Sequence, residues 1–151
     1  MRTDSAHAPL TVAGIAIRTS NREADQTIPP HWGAFFAGGG IGQIPSRLDD
    51  EVIAVYTAFE NEGVDNDGDY TLVIGCRVPE DSPTPEGLST VTVPASDRLV
   101  FPVQTGRPDL VGDAWQRIWA LTDLQKTYVA DFERYSPDGD IEISIGVRSP
   151  E

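Results

Sequence analysis

The chain has 151 residues, 39% of them apolar, which suits a single domain with one core, and it holds no apolar run long enough for a membrane-spanning helix. Its 24 acidic against 11 basic side chains leave a net charge of −13 without a basic stripe, which argues against direct nucleic-acid binding. The acidic balance favours cationic ligands or a basic protein surface, although solubility alone accounts for it equally well.

Residues 1–9, His7 among them, are expected as a flexible leader, and residues 10–151 as one domain. "VAGIAI" is too short, and lacks the flanks, for a signal peptide, so a cytoplasmic location is expected. The alternation of "TVAGIAIRT" predicts a strand from about Leu10 to Thr19. Ile28, Trp32 and Phe35 follow at helical spacing. Because Pro29 and Pro30 are tolerable only in a first turn, the helix is expected to start near Pro29. His31 in that turn reads as an ordinary helix residue rather than a base or metal ligand. "GGGIGQIPSR" closes the helix as a loop, since it lacks both the lysine of a phosphate-binding loop and the spacing of a dinucleotide fingerprint.

"EVIAVYTAFE" and "DYTLVIGCRV" then form a hairpin around the acidic turn "NEGVDNDG". A calcium loop does not fit there: with Gly68 at the sixth position, Gly63 and Ile74 fall where carboxylates are required. The single Cys76 sits on the apolar parity of the second strand and reads as a buried thiol, and it excludes a disulfide framework. A proline-rich connector, "PEDSPTPEG", leads to short strands at Leu88 to Val93 and in "SDRLVFPVQT". "PDLVGDAWQRIWALTD" places Val111, Trp115 and Ile118 on one helical face and runs into a last hairpin, "YVADFERYSPDGDIEISIGV".

That hairpin carries Asp131, Glu133 and Glu142 beside two apolar sets. If a turn on Ser136 to Gly139 joins its strands, Phe132 shares a face with Ile141, Ile143 and Ile145, and Glu133 faces Glu142 on the other side.

Strand, helix and hairpin occur twice, over about residues 10–78 and 96–148. "IPPHWGAFFA" aligns with "VGDAWQRIWA", matching Trp32 with Trp115 and Phe36 with Trp119. The following hairpins align with Phe59-Glu60 on Phe132-Glu133 and Gly75 on Gly146. Two such copies predict an α+β domain with a pseudo-twofold axis, antiparallel sheet, two helices and a central cleft. Trp32 and Trp115 fall on core stripes, with packing as their default role. Phe36 and Trp119, one turn later, are placed to line a groove. Glu60 and Glu133 are a symmetric acidic pair, suited either to a solvated sheet face or, beside aromatics, to an organic cation.

In this order and spacing, "GIAIRTSN", "IPPHWGAFF", "IPSR", "AVYTAFE", "DYTLVIGCRV", "AWQRIWA" and "DFERY" span about Val12 to Arg148. Together they resemble the gyrase-inhibitor-like small-molecule-binding domains, also found as effector-binding domains of AraC-type transcription regulators, in the stand-alone branch without a helix-turn-helix. The resemblance implies two strand-helix-strand-strand units about a cleft that takes amphipathic, cationic and aromatic small molecules. Glu133 of "DFERY" would supply the countercharge and lie buried beside aromatic rings. Glu60 would assist, Tyr56, Phe36 and Trp119 would form aromatic walls, and Trp32 would adjoin them. No cofactor or metal is implied. Two other branches supply alternatives: a hydrolase of strained electrophiles using the glutamate as a base, and a protein-binding gyrase inhibitor, for which a protein partner is expected.

The charge balance generates a direct prediction: the isolated protein should not retard duplex DNA in a gel-shift assay at moderate salt. A micromolar, salt-sensitive shift would contradict it.

Overall fold

The computed structural model describes residues 2–6 and 9–148. His7 lies outside them. The strands are β1 (Arg2–Ala6), β2 (Leu10–Ser20), β3 (Val52–Thr57), β4 (Asp69–Arg77), β5 (Ser89–Val93), β6 (Ser96–Val103), β7 (Ala130–Tyr135) and β8 (Ile141–Val147). Two helices, α1 (Ala24–Ala37) and α2 (Val111–Trp119), complete the α+β fold, with short 3-10 turns at Gly40–Gln43 and Pro108–Leu110. All eight strands form one antiparallel sheet in the order β1-β6-β8-β7-β3-β4-β2-β5.

That order is a palindrome of two units. β2-β4-β3 mirrors β6-β8-β7, and the units meet where β3 pairs with β7. Val55 opposite Phe132 marks the pseudo-twofold axis, because the same step along each hairpin pairs Val55 with Val73 and Phe132 with Ser144. The equivalent positions are therefore Tyr56 with Glu133 and Ala54 with Asp131, while Gly75 matches Gly146 as expected. The expected match of Phe59-Glu60 with Phe132-Glu133 is four residues out of register. The loop after β3 is longer than the loop after β7, and an alignment anchored on the similar letters Phe-Glu absorbed the difference in the wrong place.

The leader expectation also needs correction. Arg2–Ala6 is a strand, paired antiparallel along β6 from Arg2 with Val100 to Ala6 with Ser96. β5 plays the matching part on β2, so each unit's leading strand covers the outer edge of the other unit. Pairing satisfies backbone groups that an open edge would leave exposed, which is reason enough for a polar segment to be ordered. Pro102 in β6 lies beyond the reach of β1, where its missing N–H costs no ladder bond.

Helix α1 begins five residues earlier than expected, at Ala24, with Pro29 and Pro30 inside it. Its first turn is closed by the Gln26 and Thr27 amides donating to the Glu23 carbonyl, so the prolines continue a formed helix rather than start one. His31 is buried, and its Nε2 donates to the Ile15 carbonyl at 2.9 Å, a structural bond between α1 and β2. Burial lowers its pKa. In the acidic turn, Asp65 accepts from the Asn61 side chain and the Asp67 amide, the bonding of a loop.

Each helix roofs its own half of the sheet. Phe35 of α1 packs with Ile44, Leu72, Ile74 and Cys76; Val111, Ala114 and Ile118 of α2 pack with Ile141, Ile143 and Ile145. Val111, Ala114, Trp115 and Ile118 give α2 its apolar stripe at the expected spacing. Cys76 is fully buried, which raises its thiol pKa to about 11. On the opposite face Val12, Ile53, Val55, Val73, Val93 and Ala130 bury one another with Phe132, over which the Arg98 guanidinium stacks at 4.9 Å. The separate clusters under the two helices leave a gap between the helices over the axis.

The tightest contact in the sheet is glycine against glycine. Gly14 pairs with Gly75, where a β-carbon would stand 2.1 Å from the Ile74 carbonyl oxygen or 1.8 Å from that of Ala13. Gly75→Ala should therefore cost about 2–4 kcal/mol in urea denaturation. Gly33→Ala, at an open helical position, should stabilise by about 0.5–1 kcal/mol. Equal effects at the two positions would contradict this reading of the strand approach.

Candidate functional site

Over the axis lies a cleft of about 710 Å³. Its floor is β3 and β7, and its walls are the facing sides of α1 and α2 with the loops that follow β3 and α2. The floor is set by the last hairpin, whose register differs from expectation by one residue. Tyr135 pairs with Ile141, leaving five residues, 136–140, in the turn, closed by the Ser136 amide to the Asp140 carbonyl and the Gly139 amide to the Ser136 carbonyl. Glu133 is thus opposite Ile143, while Phe132 is opposite Ser144 and Arg134 opposite Glu142. A slip of one moves every side chain to the other face. Asp131, Glu133 and Tyr135 therefore point under the helices, and Phe132 joins the opposite core. Glu142, expected to face Glu133, pairs with Arg134 at 3.0 Å instead, and Arg134 also bonds Glu51.

Glu133 is 2% exposed, held between Ala54 on β3 and Ile143 on β8. Three neutral donors reach its carboxylate. Tyr56 Oη and Trp115 Nε1 donate to Oε2 at 2.6 and 2.7 Å, and Tyr135 Oη donates to Oε1 at 2.5 Å. Among the described residues no salt bridge reaches it. Burial raises its pKa, and the bonds from Tyr135, Tyr56 and Trp115 oppose that rise. Burial and the nearby carboxylate raise Tyr56 and Tyr135 well above the usual phenol range and Tyr70 to about 12, so all three stay protonated donors. The arrangement surrounds one carboxyl group with neutral dipoles alone, inside an aromatic enclosure.

The rings form two sets that meet at Glu133. Tyr56 packs edge-on against Trp115 at 5.4 Å and against Tyr70 at 5.6 Å, Trp115 lies 5.9 Å from Trp119, and Trp32 packs edge-on against Tyr135 at 5.1 Å. Such pairs fix one another's orientation while leaving ring faces toward the gap.

Of the residues singled out from sequence, the structure gathers Glu133, Tyr56, Trp32 and Trp119 into the cleft lining. It does not gather Phe36 and Glu60. Phe36 is 62% exposed and stacks on Trp32 at 6.1 Å, because it stands about 100° round the helix from Phe35, which takes the core-facing position. Glu60 lies in the loop after β3, where it accepts from the Asp69 amide at 3.0 Å; the symmetric mate of Glu133 is Tyr56, which bonds it across the axis. Trp115, assigned to packing, is a cleft residue and a donor to Glu133. Sequence reasoning missed Tyr70, Tyr128, Tyr135, Lys126 and Asp131. The alternation of "DFERY" held the signal for Tyr135 and Asp131, which share the parity of Glu133.

Asp131 accepts from the Gly146 amide at 2.9 Å and lies 3.9 Å from the Arg98 guanidinium. Burial raises its pKa to about 6, against the pull of the amide, Arg98 and Lys126. Arg98 is itself buried, donating to Ser144 and to the Ala130 carbonyl.

A family model for integron-associated effector binding proteins matches residues 7–147. No curated protein sequence matches the chain. Among solved structures, an integron cassette protein from the mobile metagenome of Vibrio cholerae is similar at 24% identity and a TM-score of 0.77, with 97% of this chain and 95% of that one covered. A second, solved bound to tetraphenylphosphonium, is similar at 19% identity and a TM-score of 0.78, with 98% and 93% covered. At these identities the likeness concerns the fold.

The burial of Glu133 fixes the sign of one pH effect. Its folded pKa is above the unfolded value of about 4.3, so the native state binds the extra proton and stability falls as pH rises from there through the folded pKa. Glu133→Gln has no such titration. Denaturation of both proteins across pH 4 to 8 should show the variant gaining stability relative to wild type as pH rises, and parallel curves would contradict it.

Proposed function

The chain belongs to the family of integron-associated effector-binding proteins, and on that premise we propose that it is a binding module for amphipathic, cationic, aromatic small molecules, seated between α1 and α2. The observation that carries this reading is Glu133: a buried carboxylate given three neutral donors and, among the described residues, no countercharge. A hydrophobic cation supplies that charge without needing hydrogen bonds of its own. Trp32, Tyr56, Trp115 and Trp119 offer ring faces and edges to a flat or propeller-shaped aromatic body, adding cation–π attraction of about 0.5–2 kcal/mol per good contact. The relative solved with tetraphenylphosphonium supports the choice of ligand class.

Both carboxylate oxygens of Glu133 already accept hydrogen bonds from fixed donors, two on Oε2 and one on Oε1, which leaves it less free to take a proton from a bound water. This favours a countercharge over the general base of a hydrolase. The AraC-type resemblance suggests an effector role, in which the occupied module reports to a separate protein.

Calorimetry with tetraphenylphosphonium and a neutral arylphosphine oxide of similar size tests the reading. Glu133→Gln should weaken the cation by about 1–3 kcal/mol and the neutral compound by much less. For wild type, cation affinity should fall as acid protonates Glu133. Equal losses for both compounds would make Glu133 a support of the fold, and no binding of either would remove the function.

A further inference from the structure

Glu133 shares its strand face with a second carboxylate. Asp131 stands two residues earlier on β7, opposite Tyr56 in register, and lines the same cleft. Strand geometry separates the two positions by about 7 Å. The two groups are held differently. Glu133 is gripped on both oxygens, whereas the contacts of Asp131, the Gly146 amide and the Arg98 guanidinium, both fall on Oδ1. Among the described residues, Oδ2 accepts no hydrogen bond and is not sealed from solvent, so this oxygen is open on the cleft side.

Charge in the cleft is correspondingly lopsided. Asp25, Asp131 and Glu133 line it against a single ammonium among the described residues, that of Lys126, which is tethered to the Leu121 carbonyl at 3.0 Å. Arg98 offsets Asp131 only from the far side of the sheet, at the outer limit of an ion pair. A singly charged ligand seated on Glu133 would leave the cleft negative at Asp131. Tyr128, which also lines this end, and Tyr56 across the register provide aromatic surface for a ligand that continues past Glu133.

We propose that Asp131 is a second charge-reading position, and that the cleft selects aromatic dications with positive centres about 7 Å apart over monocations of the same shape. The proposal rests on the reading of Glu133 as the cation-facing carboxylate. Two carboxylates on one rigid strand act as a fixed ruler, so the second charge sets specificity by distance as well as by sign.

Methyl viologen and N-methyl-4-phenylpyridinium form a suitable pair: both are flat two-ring ions, and the first carries its two ring nitrogens at the matching separation. In titration calorimetry, wild type should bind the viologen about tenfold more tightly than the monocation. Asp131→Asn, which keeps the acceptor for the Gly146 amide, should bring the ratio of affinities close to one. Lys126→Met, at a half-buried position of the cleft wall, should raise the ratio above wild type by removing the competing charge. Equal wild-type affinities for the two ions, or a ratio that neither variant moves, would overturn the proposal. Glu133→Gln separates the two readings: it should weaken both ions, and if it weakens neither, the Glu133 reading itself fails, whatever the ratio does.

Discussion

The antiparallel pairing of β3 with β7 is the constraint on which the rest of the molecule depends. It joins the two units into one sheet, and with Val55 opposite Phe132 it sets which side chains rise into the space between the helices. The same pairing puts Tyr56 and Glu133 at equivalent positions about the axis, close enough to bond one another at 2.6 Å. Because each helix covers the apolar stripe of its own half, neither crosses the axis. The cleft is the space that two complete cores leave between them.

Burying a carboxylate there is unfavourable, and the structure offsets the cost with neutral donors rather than an ion pair. Tyr56, Trp115 and Tyr135 come from β3, α2 and β7, so the bonds also tie β3 of the first unit to α2 and β7 of the second. An arginine in the same place would have cancelled the charge, and the cleft with it. Arginine is used instead on the opposite face, where Arg98 is buried over Phe132 and closes the second layer of packing.

The pseudo-symmetry is exact enough to build the sheet and imperfect where chemistry is concerned. Where the second unit has Glu133 and Asp131, the first has Tyr56 and Ala54. Both carboxylates therefore come from one copy, while the other contributes a hydroxyl donor and the room that a small side chain leaves. Exchange of the leading strands, β1 onto β6 and β5 onto β2, makes each copy depend on the other for its outer edge as well as for its site.

Much of this was legible in the chain itself. Alternation located the β2, β3, β4 and β6 segments, the stripe of Val111, Trp115 and Ile118 located α2, and the recurrence of strand, helix and hairpin announced two units about a cleft. The choice of Glu133 as a candidate came from resemblance, because composition and periodicity gave it only an even choice between solvent and site. Phase was out of reach. Period-two patterning states that neighbours face opposite ways, but the length of the 136–140 turn decides which set faces in, and a single residue there moved Glu133 from the open side to the covered one. Two partners of Glu133 were equally hidden, since Tyr56 and Trp115 stand 77 and 18 residues away and reach it only once β3 is in register on β7 and α2 is packed on the sheet, whereas Tyr135 shares its strand face two residues on. Local sequence determines the elements because their forces act between near neighbours; pairing across the axis is a long-range choice among nearly equivalent registers, and only the packed tertiary structure makes it.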